Sequence, residues 1–366
     1  MEIWAEAGRC EGDVNYALMA AQAVHDAGAD ALKVQWHHPD RIFSPNIPRY
    51  DKTDDRPITM NELDAARIEY EDWRPVVDKC NTLGIKFIPS IFDPEAVGWL
   101  ERYALSHAKI ASGDITNRWL IQEVADSLRF HQPWGPVLAL STGASTAEEI
   151  ARAVGWVADT GFRGTLQILA CHLAYPTEDD NAHLGRVAAL SLLAADLIAN
   201  RRIGKIGRIE LGYSDHTRSL QTASLLVAMG ASVLEKHFTM YGKGHGSDHE
   251  FALDPPSLYN FVQSRDRAQA LMGSAALQPT EDEKAALKGA RRSLAAAVDI
   301  PKGTPLSADM FIMLRPGTGI PPYELDRVIG GGANKNKAQR AMVDIPARTV
   351  ITWRMIGQVG ASLRVE

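Results

Sequence analysis

The chain has 366 residues, with 45% hydrophobic and 23% charged side chains and a net charge of −6, which predicts a globular protein of one large domain and a smaller one. No run approaches the ~20 apolar residues of a membrane span, and the N-terminus has no secretory signal core, so we expect a cytoplasmic protein without a membrane partner. The three cysteines lie far apart, which fits free thiols and argues against a disulfide framework or a structural zinc site.

Short apolar runs alternate with longer helical patterns through the first 270 residues. We predict eight strands, at Ile3–Ala5, Ala31–Gln35, Lys86–Pro89, Ala108–Ile110, Val137–Leu140, Leu166–Ala170, Ile209–Leu211 and Ser232–Glu235. Helices are predicted at Val14–Ala27, Tyr70–Leu83, Pro94–Tyr103, Trp119–Ser127, Ala147–Asp159, Leu184–Ile198 and Leu220–Met229. Eight such units indicate an α/β fold, a (β/α)8 TIM barrel whose active site lies at the carboxyl ends of the strands. A doubly wound open sheet is the alternative, but it needs a glycine-rich nucleotide turn after the first strand, and Gly8–Gly12 is not one.

Three further segments complete the predicted organisation around a barrel of residues 1–272. Residues 38–69 form a long insertion, which we interpret as a substrate-covering loop because loops of this length are usually functional or disordered. Residues 273–290 are predicted to be a polar helical linker, and residues 291–366 a small β-rich domain. That domain holds 11 Lys and Arg against 6 Asp and Glu, whereas residues 1–290 hold 28 against 39. The asymmetry argues against nucleic acid as a partner and favours docking of the tail onto the acidic body or onto a second copy.

Polar side chains follow nearly every predicted strand. Lys33 and Lys109 lie at the ends of two apolar strands, and a buried ammonium group needs an anionic partner. Together with nearby hydroxyls and a glycine-rich helix entry, the two lysines predict a cradle for a phosphate or a carboxylate. Ser141 and Thr142 are favoured as ligand contacts, whereas Ser145-Thr146 resembles an ordinary helix cap. Other polar residues at or near strand ends are Glu6, Gln35, Ser90, Ser112, Asp114, Tyr175 and Ser214.

Two histidines, His216 and His237, follow the seventh and eighth predicted strands, and parallel neighbouring strands would bring both to one sheet edge. Two neutral imidazoles leave most positions of a divalent ion open, as a Lewis acid that polarises a carbonyl group requires. Glu6 and Asp248 are carboxylates able to act as general bases, although a structural role for Glu6 stays open. The alternative is a pair of polar loop residues without a metal. The remaining histidines that we assign to surface or helix-end positions are His25, His107, His131 and His183.

Several phrases in collinear order resemble one known family over almost the whole chain. They are Ala5-Glu-Ala-Gly8, Lys33-Val-Gln35, Lys109-Ile-Ala-Ser-Gly113, Leu140-Ser-Thr-Gly143, Gly212-Tyr-Ser-Asp-His-Thr217, Glu235-Lys-His-Phe-Thr239 and Ser247-Asp-His249. The sequence is similar to sialic acid synthases, which condense phosphoenolpyruvate with an N-acetylated amino sugar. The tail resembles that family's antifreeze-like (SAF) domain through Arg291-Arg-Ser-Leu294, Asp299-Ile-Pro-Lys-Gly303 and Arg315-Pro-Gly-Thr-Gly-Ile320.

The resemblance implies a (β/α)8 barrel with an SAF domain that reaches across a domain-swapped homodimer into the partner's active site. It implies Mn²⁺ on His216 and His237, with Mg²⁺ or Co²⁺ as alternatives. The residues implied to hold phosphoenolpyruvate are Lys33, Ser90, Lys109, Ser112, Ser141, Tyr175 and Ser214, with Gln35 as a further substrate-binding residue. Glu6 and Asp248 are implied to act on the attacking water and the sugar, with Asp114 as a third catalytic candidate, and Arg315 to reach the acceptor sugar from the other subunit.

The resemblance also implies the reaction, a metal-dependent condensation that gives phosphate and a nine-carbon α-keto acid sugar of the sialic, legionaminic or pseudaminic type. The chain departs from the family pattern at four places. Its first loop, Arg9-Cys-Glu-Gly12, is one residue shorter than the usual Asn-His-Asn-Gly. Asp114 replaces the usual Glu, Ala170 the usual His, and Leu173 the usual Asn. A different aldehyde acceptor, or a sugar-binding barrel without catalysis, is the alternative that these departures leave open.

Overall fold

Eight parallel β-strands close into a barrel, because β1 pairs with β2 on one side and with β8 on the other. The strands are β1 Glu2–Glu6, β2 Ala31–Trp36, β3 Lys86–Ile91, β4 His107–Ile110, β5 Val137–Ser141, β6 Thr165–Cys171, β7 Arg208–Asp215 and β8 Val233–His237. A doubly wound open sheet would leave two free edges, and this sheet has none. The predicted (β/α)8 barrel is therefore confirmed.

This computed structural model describes residues 1–36, 38–44, 66–131, 135–241, 248–331 and 338–357. The chain divides into two compact units, Met1–Gly273 and Ser274–Glu366. The first unit holds the barrel. Residues 45–65, most of the predicted substrate-covering loop, lie outside the described residues.

Several of the α-helices that surround the barrel begin at residues whose side chains or ring geometry suit a helix start. Asp13 and Asp93 accept hydrogen bonds from the first backbone N–H groups of their helices, and Thr146 forms a capping box with Glu149, as the sequence predicts. Pro75 lies in the first turn of its helix, where its missing N–H costs nothing. Among the described residues, the α-helices of the first unit are α1 Val14–Asp26, α2 Pro39–Ile42, α3 Arg74–Leu83, α4 Pro94–Arg102, α5 Arg118–His131, α6 Ala147–Asp159, α7 Arg186–Ala199, α8 Thr222–Ala228 and α9 Pro255–Met272.

The inside of the barrel is filled by side chains that alternate with those facing the helices, since successive strand residues point to opposite faces. An apolar layer across the middle of the barrel consists of Trp4, Ala31, Ile88, Ala139, Leu169 and Val233. In each strand, the next inward residue toward the carboxyl end lies two positions later, so strands β1, β2, β3, β5 and β8 place Glu6, Lys33, Ser90, Ser141 and Glu235 above this layer. The apolar layer is thus the floor of a polar mouth.

The helix α7 lies in a segment, Asp179–Ala199, that is long and apolar enough by composition to span a membrane. This differs from the expectation from the sequence that no such segment exists. One face of α7 is nevertheless buried in the core of the barrel unit, through Val187, Leu190 and Leu197, while Leu192 on the other face is exposed. The packing is that of an outer barrel helix.

The second unit is small and built from short antiparallel pairs. Strand β9 Ser293–Ala296 pairs with β10 Phe311–Leu314, and β11 Arg340–Ala341 pairs with β12 Ile356–Gly357. In the described part of this unit, the α-helices α10 Glu281–Ala290 and α11 Leu325–Ile329 accompany them. Its own core is formed by Leu294, Ala296, Ile300, Leu306, Phe311, Ile320, Val328, Ala341, Ile345, Ile351 and Ile356. This architecture matches the predicted small β-rich domain.

Candidate active site

The carboxyl ends of the barrel strands bring most of the predicted site residues together. Strand register places Glu6 beside Lys33 and His237, and places Ser90 beside Lys109. On the other side of the mouth, Ser214 lies beside Glu235. Glu6, Lys33, Ser90, Lys109, Ser141, Ser214, His216 and His237 are all buried.

Two lysines and two glutamates form a network of charges across the mouth. Glu235 is its centre, because one carboxylate oxygen lies 2.8 Å from Lys109 Nζ and the other 3.9 Å from Lys33 Nζ. Lys33 also contacts the Glu6 carboxylate directly. Burial alone would raise the pKa of Glu235, but the ammonium groups of Lys109 and Lys33 hold that pKa below its ordinary value. Burial lowers the pKa of Lys33 well below its ordinary value, although Glu235 opposes that shift.

The hydroxyl groups of this mouth fall into two classes. Ser214 Oγ donates to Glu235 over 2.7 Å, and Ser112 Oγ accepts from the backbone N–H of Gly143 over 2.9 Å. Ser90 Oγ and Ser141 Oγ are buried and have no hydrogen-bond partner among the described residues. A buried hydroxyl without a protein partner is an uncompensated cost, which a bound polar ligand can offset.

The two histidines stand side by side with their rings 5.2 Å apart and nearly perpendicular, at 77°. His216 lies just past β7, whereas His237 is the last residue of β8 itself. Burial lowers the pKa of His216 to about 4 and the pKa of His237 well below its ordinary value, so both imidazoles are neutral near pH 7. His216 Nδ1 lies 2.9 Å from the carbonyl oxygen of His172, which can only accept. This places the proton of His216 on Nδ1 and leaves a lone pair on Nε2.

The chemistry of this pair fits a divalent metal ion. A metal ligand must be a neutral imidazole, and a hydrogen bond on the other ring nitrogen commonly orients it, as seen for His216. Among the described residues, no group of three or more His, Cys, Asp or Glu side chains could hold a metal ion. Two protein ligands leave the remaining positions to substrate and water, which is the arrangement of a reactive site and not of a closed structural one.

Aromatic rings cover the histidines. The ring of Tyr175 lies 4.2 Å from that of His216, and Phe251 lies 4.8 Å from His237. Tyr175 was predicted as a substrate contact, and the structure places it over the first histidine. The sequence did not single out Phe251, since an aromatic residue in a loop carries no local signal of its position.

The three predicted catalytic carboxylates differ in their surroundings. Glu6 is held on all sides, because it contacts Lys33 and accepts hydrogen bonds from Gly8 N and from Gln35 Nε2. Asp248 is partly exposed, with Oδ2 3.8 Å from His237 Nδ1, which is beyond hydrogen-bond range. Asp114 follows β4, and burial raises the pKa of its carboxyl group.

Two family patterns match this chain. Residues 19–276 match the NeuB family, and residues 291–357 match the SAF domain. The chain belongs to the NeuB family. The predicted relationship to sialic acid synthases and the predicted SAF tail are therefore confirmed.

Several relatives of this NeuB-family chain are named as synthases. An N,N'-diacetyllegionaminic acid synthase from Legionella pneumophila is 30% identical over 362 residues, which cover 97% of this chain and 94% of the relative. A pseudaminic acid synthase from Campylobacter jejuni is 28% identical over 335 residues, covering 89% and 90%. The structure of N-acetylneuraminic acid (sialic acid) synthetase from Leptospira borgpetersenii, in complex with citrate, has a TM-score of 0.64 and 26% identity over 78% of this chain and 89% of that one. The NeuB-family chain is thus a sialic acid synthase-like transferase.

Glu235 is the main site residue to which sequence reasoning assigned no role of its own, although Asp215, Glu235 and Lys236 stand beside the two histidines in the sequence. It lies two positions before His237 on β8, so strand alternation alone places both side chains on the same face. Applied to Glu235-Lys-His237, that signal would have predicted a carboxylate on the same inward face as His237. The position of Glu235 also supplies the anionic partner that buried lysines require.

A second contact that the sequence did not indicate joins the loops that follow the first and the last barrel strands. His249 is buried, and its ring nitrogens contact Thr239 Oγ1 on one side and Glu11 Oε1, at 2.9 Å, on the other. Glu11 lies in the shortened loop after β1, where Cys10, Glu11 and Gly12 all have positive φ angles. The pair links the loops after β1 and β8, next to Asp248.

Arg315 belongs to the second unit of the synthase, where its side chain is exposed on a well-supported loop. Ser293 Oγ donates to Pro316 O over 2.7 Å and accepts from Gly319 N over 2.9 Å. Gly317 N donates to Lys288 O on α10 over 2.8 Å. These bonds hold the loop on which Arg315 lies, and its approach to a barrel mouth stays a prediction.

Proposed function

We propose that this enzyme condenses phosphoenolpyruvate with an N-acetylated amino-sugar aldehyde, giving phosphate and a nine-carbon α-keto acid sugar of the sialic, legionaminic or pseudaminic type. The observation that carries the proposal is the presence of two chemistries at one barrel mouth. Buried lysines with partner-free hydroxyls suit an anionic substrate, and a neutral histidine pair suits a divalent ion. The acceptor class follows the relatives, which are synthases of legionaminic and pseudaminic acids.

Phosphoenolpyruvate would occupy the lysine side of the mouth. Its phosphate and carboxylate would share Lys33 and Lys109 with Glu235, and would take hydrogen bonds from Ser90 and Ser141. An anion bound there also compensates the burial that lowers the pKa of Lys33. The remaining proposed contacts to this substrate are Gln35, Ser112, Tyr175 and Ser214.

His216 and His237 would hold the divalent ion, with Mn²⁺ first and Mg²⁺ or Co²⁺ as alternatives. Such an ion, when bound, polarises the aldehyde oxygen of the acceptor as a Lewis acid. The chain itself orients His216 through the carbonyl of His172 and covers both imidazoles with Tyr175 and Phe251. These aromatic rings restrict water on that side of the histidines.

The bond changes are the addition of the enol C3 to the aldehyde carbon, the addition of water at C2 and the loss of phosphate by C–O cleavage. The attacking water loses two protons, one on addition at C2 and one when the C2 adduct collapses to the ketone; one of the two balances the proton gained by the aldehyde oxygen, and the other leaves with the phosphate. We assign these transfers to Asp248, which lies beside His237, and to Asp114, which follows β4 and whose carboxyl group has a pKa raised by burial. Glu6 keeps Lys33 and Gln35 in place and lies next to His237 in the strand register, which suits a role beside the reacting water.

A second subunit would complete the binding site for the acceptor sugar. We propose a domain-swapped homodimer in the cytoplasm, in which Arg315 of one subunit reaches the acceptor sugar at the barrel mouth of the other. The basic second unit and the acidic barrel unit have complementary net charges, which supports docking of one on the other.

The test is phosphate release from phosphoenolpyruvate with Mn²⁺ and a panel of aldehyde sugars: N-acetylmannosamine, its 6-deoxy diacetamido analogues, mannose and arabinose. We expect release with one of the N-acetylated amino sugars. Release with mannose or arabinose alone would favour a different aldehyde acceptor. A folded protein that binds Mn²⁺ and sugar but releases no phosphate would favour a binding barrel without catalysis.

The proposed metal site is tested by the variant His237→Ala, which removes one of its two imidazoles. We expect loss of metal-dependent phosphate release in a protein that stays folded. The matched control is His25→Ala, because His25 is an exposed histidine at the end of α1. Undiminished release by His237→Ala would refute the metal assignment.

A further inference from the structure

A fully buried ion pair lies directly behind the two histidines. Lys236 Nζ is 2.8 Å from Asp215 Oδ2, and both side chains are buried. Asp215 and Lys236 are partners in the register of β7 and β8, and each immediately precedes one histidine, His216 or His237. Because strand side chains alternate, the ion pair points away from the barrel mouth while His237 points into it.

The ion pair fastens the loop after β7 to β8. Asp215 Oδ1 accepts from Thr217 N over 2.8 Å, and Oδ2 also accepts from Thr222 Oγ1 over 2.6 Å. Lys236 Nζ donates in addition to Thr217 O and, over 3.3 Å, to Ser219 O. Lys236, which precedes His237, is therefore tied to the loop that begins with His216 at two backbone carbonyls and at the Thr217 hydroxyl, which lies 3.3 Å from Nζ.

The stability of the fold is a poor explanation for this arrangement. Removing two charges from water offsets much of their attraction, so a well-packed apolar pair of similar size is often as stable as a buried ion pair. What an apolar pair cannot provide is a directional link with a fixed length. Such a link matters for the orientation of His237, because the His237 Nδ1 atom lies 3.8 Å from Asp248 Oδ2, outside hydrogen-bond range.

We propose that Asp215 and Lys236 are positioning residues that set the separation and the angle of His216 and His237, and thereby the affinity for a divalent ion. This inference rests on the proposed metal role of the two histidines. The ion pair acts through the backbone of β7 and β8, because each charged residue shares a peptide bond with a histidine. Residues that orient metal ligands change metal affinity without contacting the metal, typically by about 10- to 100-fold.

The test compares Mn²⁺ affinity with stability in the full-length protein. Asp215→Leu and Lys236→Met each leave one buried charge without its partner, and we expect both to lower the thermal unfolding midpoint. The double variant removes both charges, and we expect its midpoint to return toward that of the wild type. Its Mn²⁺ affinity, measured by electron paramagnetic resonance titration without substrate, should stay about 10- to 100-fold weaker.

A second ion pair supplies the matched control. Arg265 Nη1 lies 2.8 Å from Asp30 Oδ2, and Asp30 also accepts from Ile3 N at the opposite, amino-terminal end of the barrel. The double variant Arg265→Met with Asp30→Leu should leave Mn²⁺ affinity unchanged in the folded protein. Thr222→Val is a milder variant that removes one hydrogen bond to Asp215, and we expect it to fold and to bind Mn²⁺ a few-fold more weakly.

The outcomes separate this inference from the proposed function. A stable Asp215→Leu, Lys236→Met variant that binds Mn²⁺ as tightly as the wild type would overturn the positioning role alone. If that variant does not fold, unchanged Mn²⁺ affinity in Thr222→Val would overturn it. A wild-type protein whose Mn²⁺ binding is absent, or is unaffected by His237→Ala, would overturn both the metal site and the inference that rests on it.

Discussion

Replacing Ser141 by alanine should change stability and substrate affinity in opposite directions. Ser141 is the last residue of β5 and is buried at the mouth, and its hydroxyl has no hydrogen-bond partner among the described residues. The alanine variant loses only this oxygen. It therefore removes a cost from the free protein and a hydrogen bond from the proposed complex with phosphoenolpyruvate.

The magnitudes follow from these contacts. A buried hydroxyl without a partner costs roughly 1–3 kcal/mol, part of which water at the mouth offsets, so we expect the free energy of unfolding to rise by about 1 kcal/mol. A hydrogen bond to a charged group contributes about 1.5–3 kcal/mol, which corresponds to a roughly 10- to 150-fold higher Kd for phosphoenolpyruvate in the Ser141→Ala variant.

The assay combines urea unfolding of the free protein with calorimetric titration of phosphoenolpyruvate. Ser214→Ala is the control, because Ser214 is equally buried but donates to Glu235 over 2.7 Å, so its loss should lower the free energy of unfolding. A Ser141→Ala variant that is less stable than the wild type, or that binds phosphoenolpyruvate equally well, would refute the reasoning.

Three further predictions concern other parts of the chain. Gly212→Ala should lower the free energy of unfolding by about 1–3 kcal/mol in thermal unfolding, since its Cβ would overlap Val233 and come within 2.7 Å of Leu169 Cδ2; unchanged stability would contradict this packing. Burial lowers the pKa of His107 from 6.5 to about 4, so as the pH falls this residue is protonated in the unfolded chain before it is protonated in the folded protein. The free energy of unfolding of the wild type should therefore decrease between pH 6.5 and 4, and this decrease should be up to about 3 kcal/mol smaller in His107→Gln. Parallel pH profiles of the two proteins would contradict this prediction. Arg315→Ala should raise the acceptor KM far more than that for phosphoenolpyruvate in steady-state kinetics, and equal effects on both would count against its reaching the acceptor.

The barrel could be predicted because its strands are buried on both faces and therefore form apolar runs. The same rule explains where the prediction fell short. The seventh strand was predicted to end at Leu211, but β7 continues to Asp215, because its last residues face the polar mouth or the buried ion pair and break the apolar run. His107 was assigned to the surface or a helix end, whereas it is a half-buried first residue of β4. The helix predicted from Tyr70 begins at Arg74, after a 3-10 turn.

The candidate site could be predicted in its residue types and only partly in its connections. Strand ends placed Lys33, Lys109 and the two histidines at one mouth, since parallel strands share a carboxyl edge. Which carboxylate balances the lysines depends on three-dimensional distances, and the sequence alone did not distinguish Glu235. The link between Glu11 and His249 joins residues 238 positions apart, a contact that no local pattern can indicate.

The pairing of the first barrel strand, β1, with the last, β8, has a consequence for how the protein acquires its activity. Glu6 pairs with His237 only when β8, the last strand of the barrel, docks on β1, the first. Contacts between the two ends of a long chain form late in folding, because closing the loop between them costs conformational entropy before the contacts contribute any favourable free energy. During synthesis, a chain that has not yet reached residue 235 lacks both His237 and the Glu235 counter-charge. At the proposed metal site, Mn²⁺ uptake would therefore require the closed barrel, and could serve as a measure of correctly folded protein in a preparation.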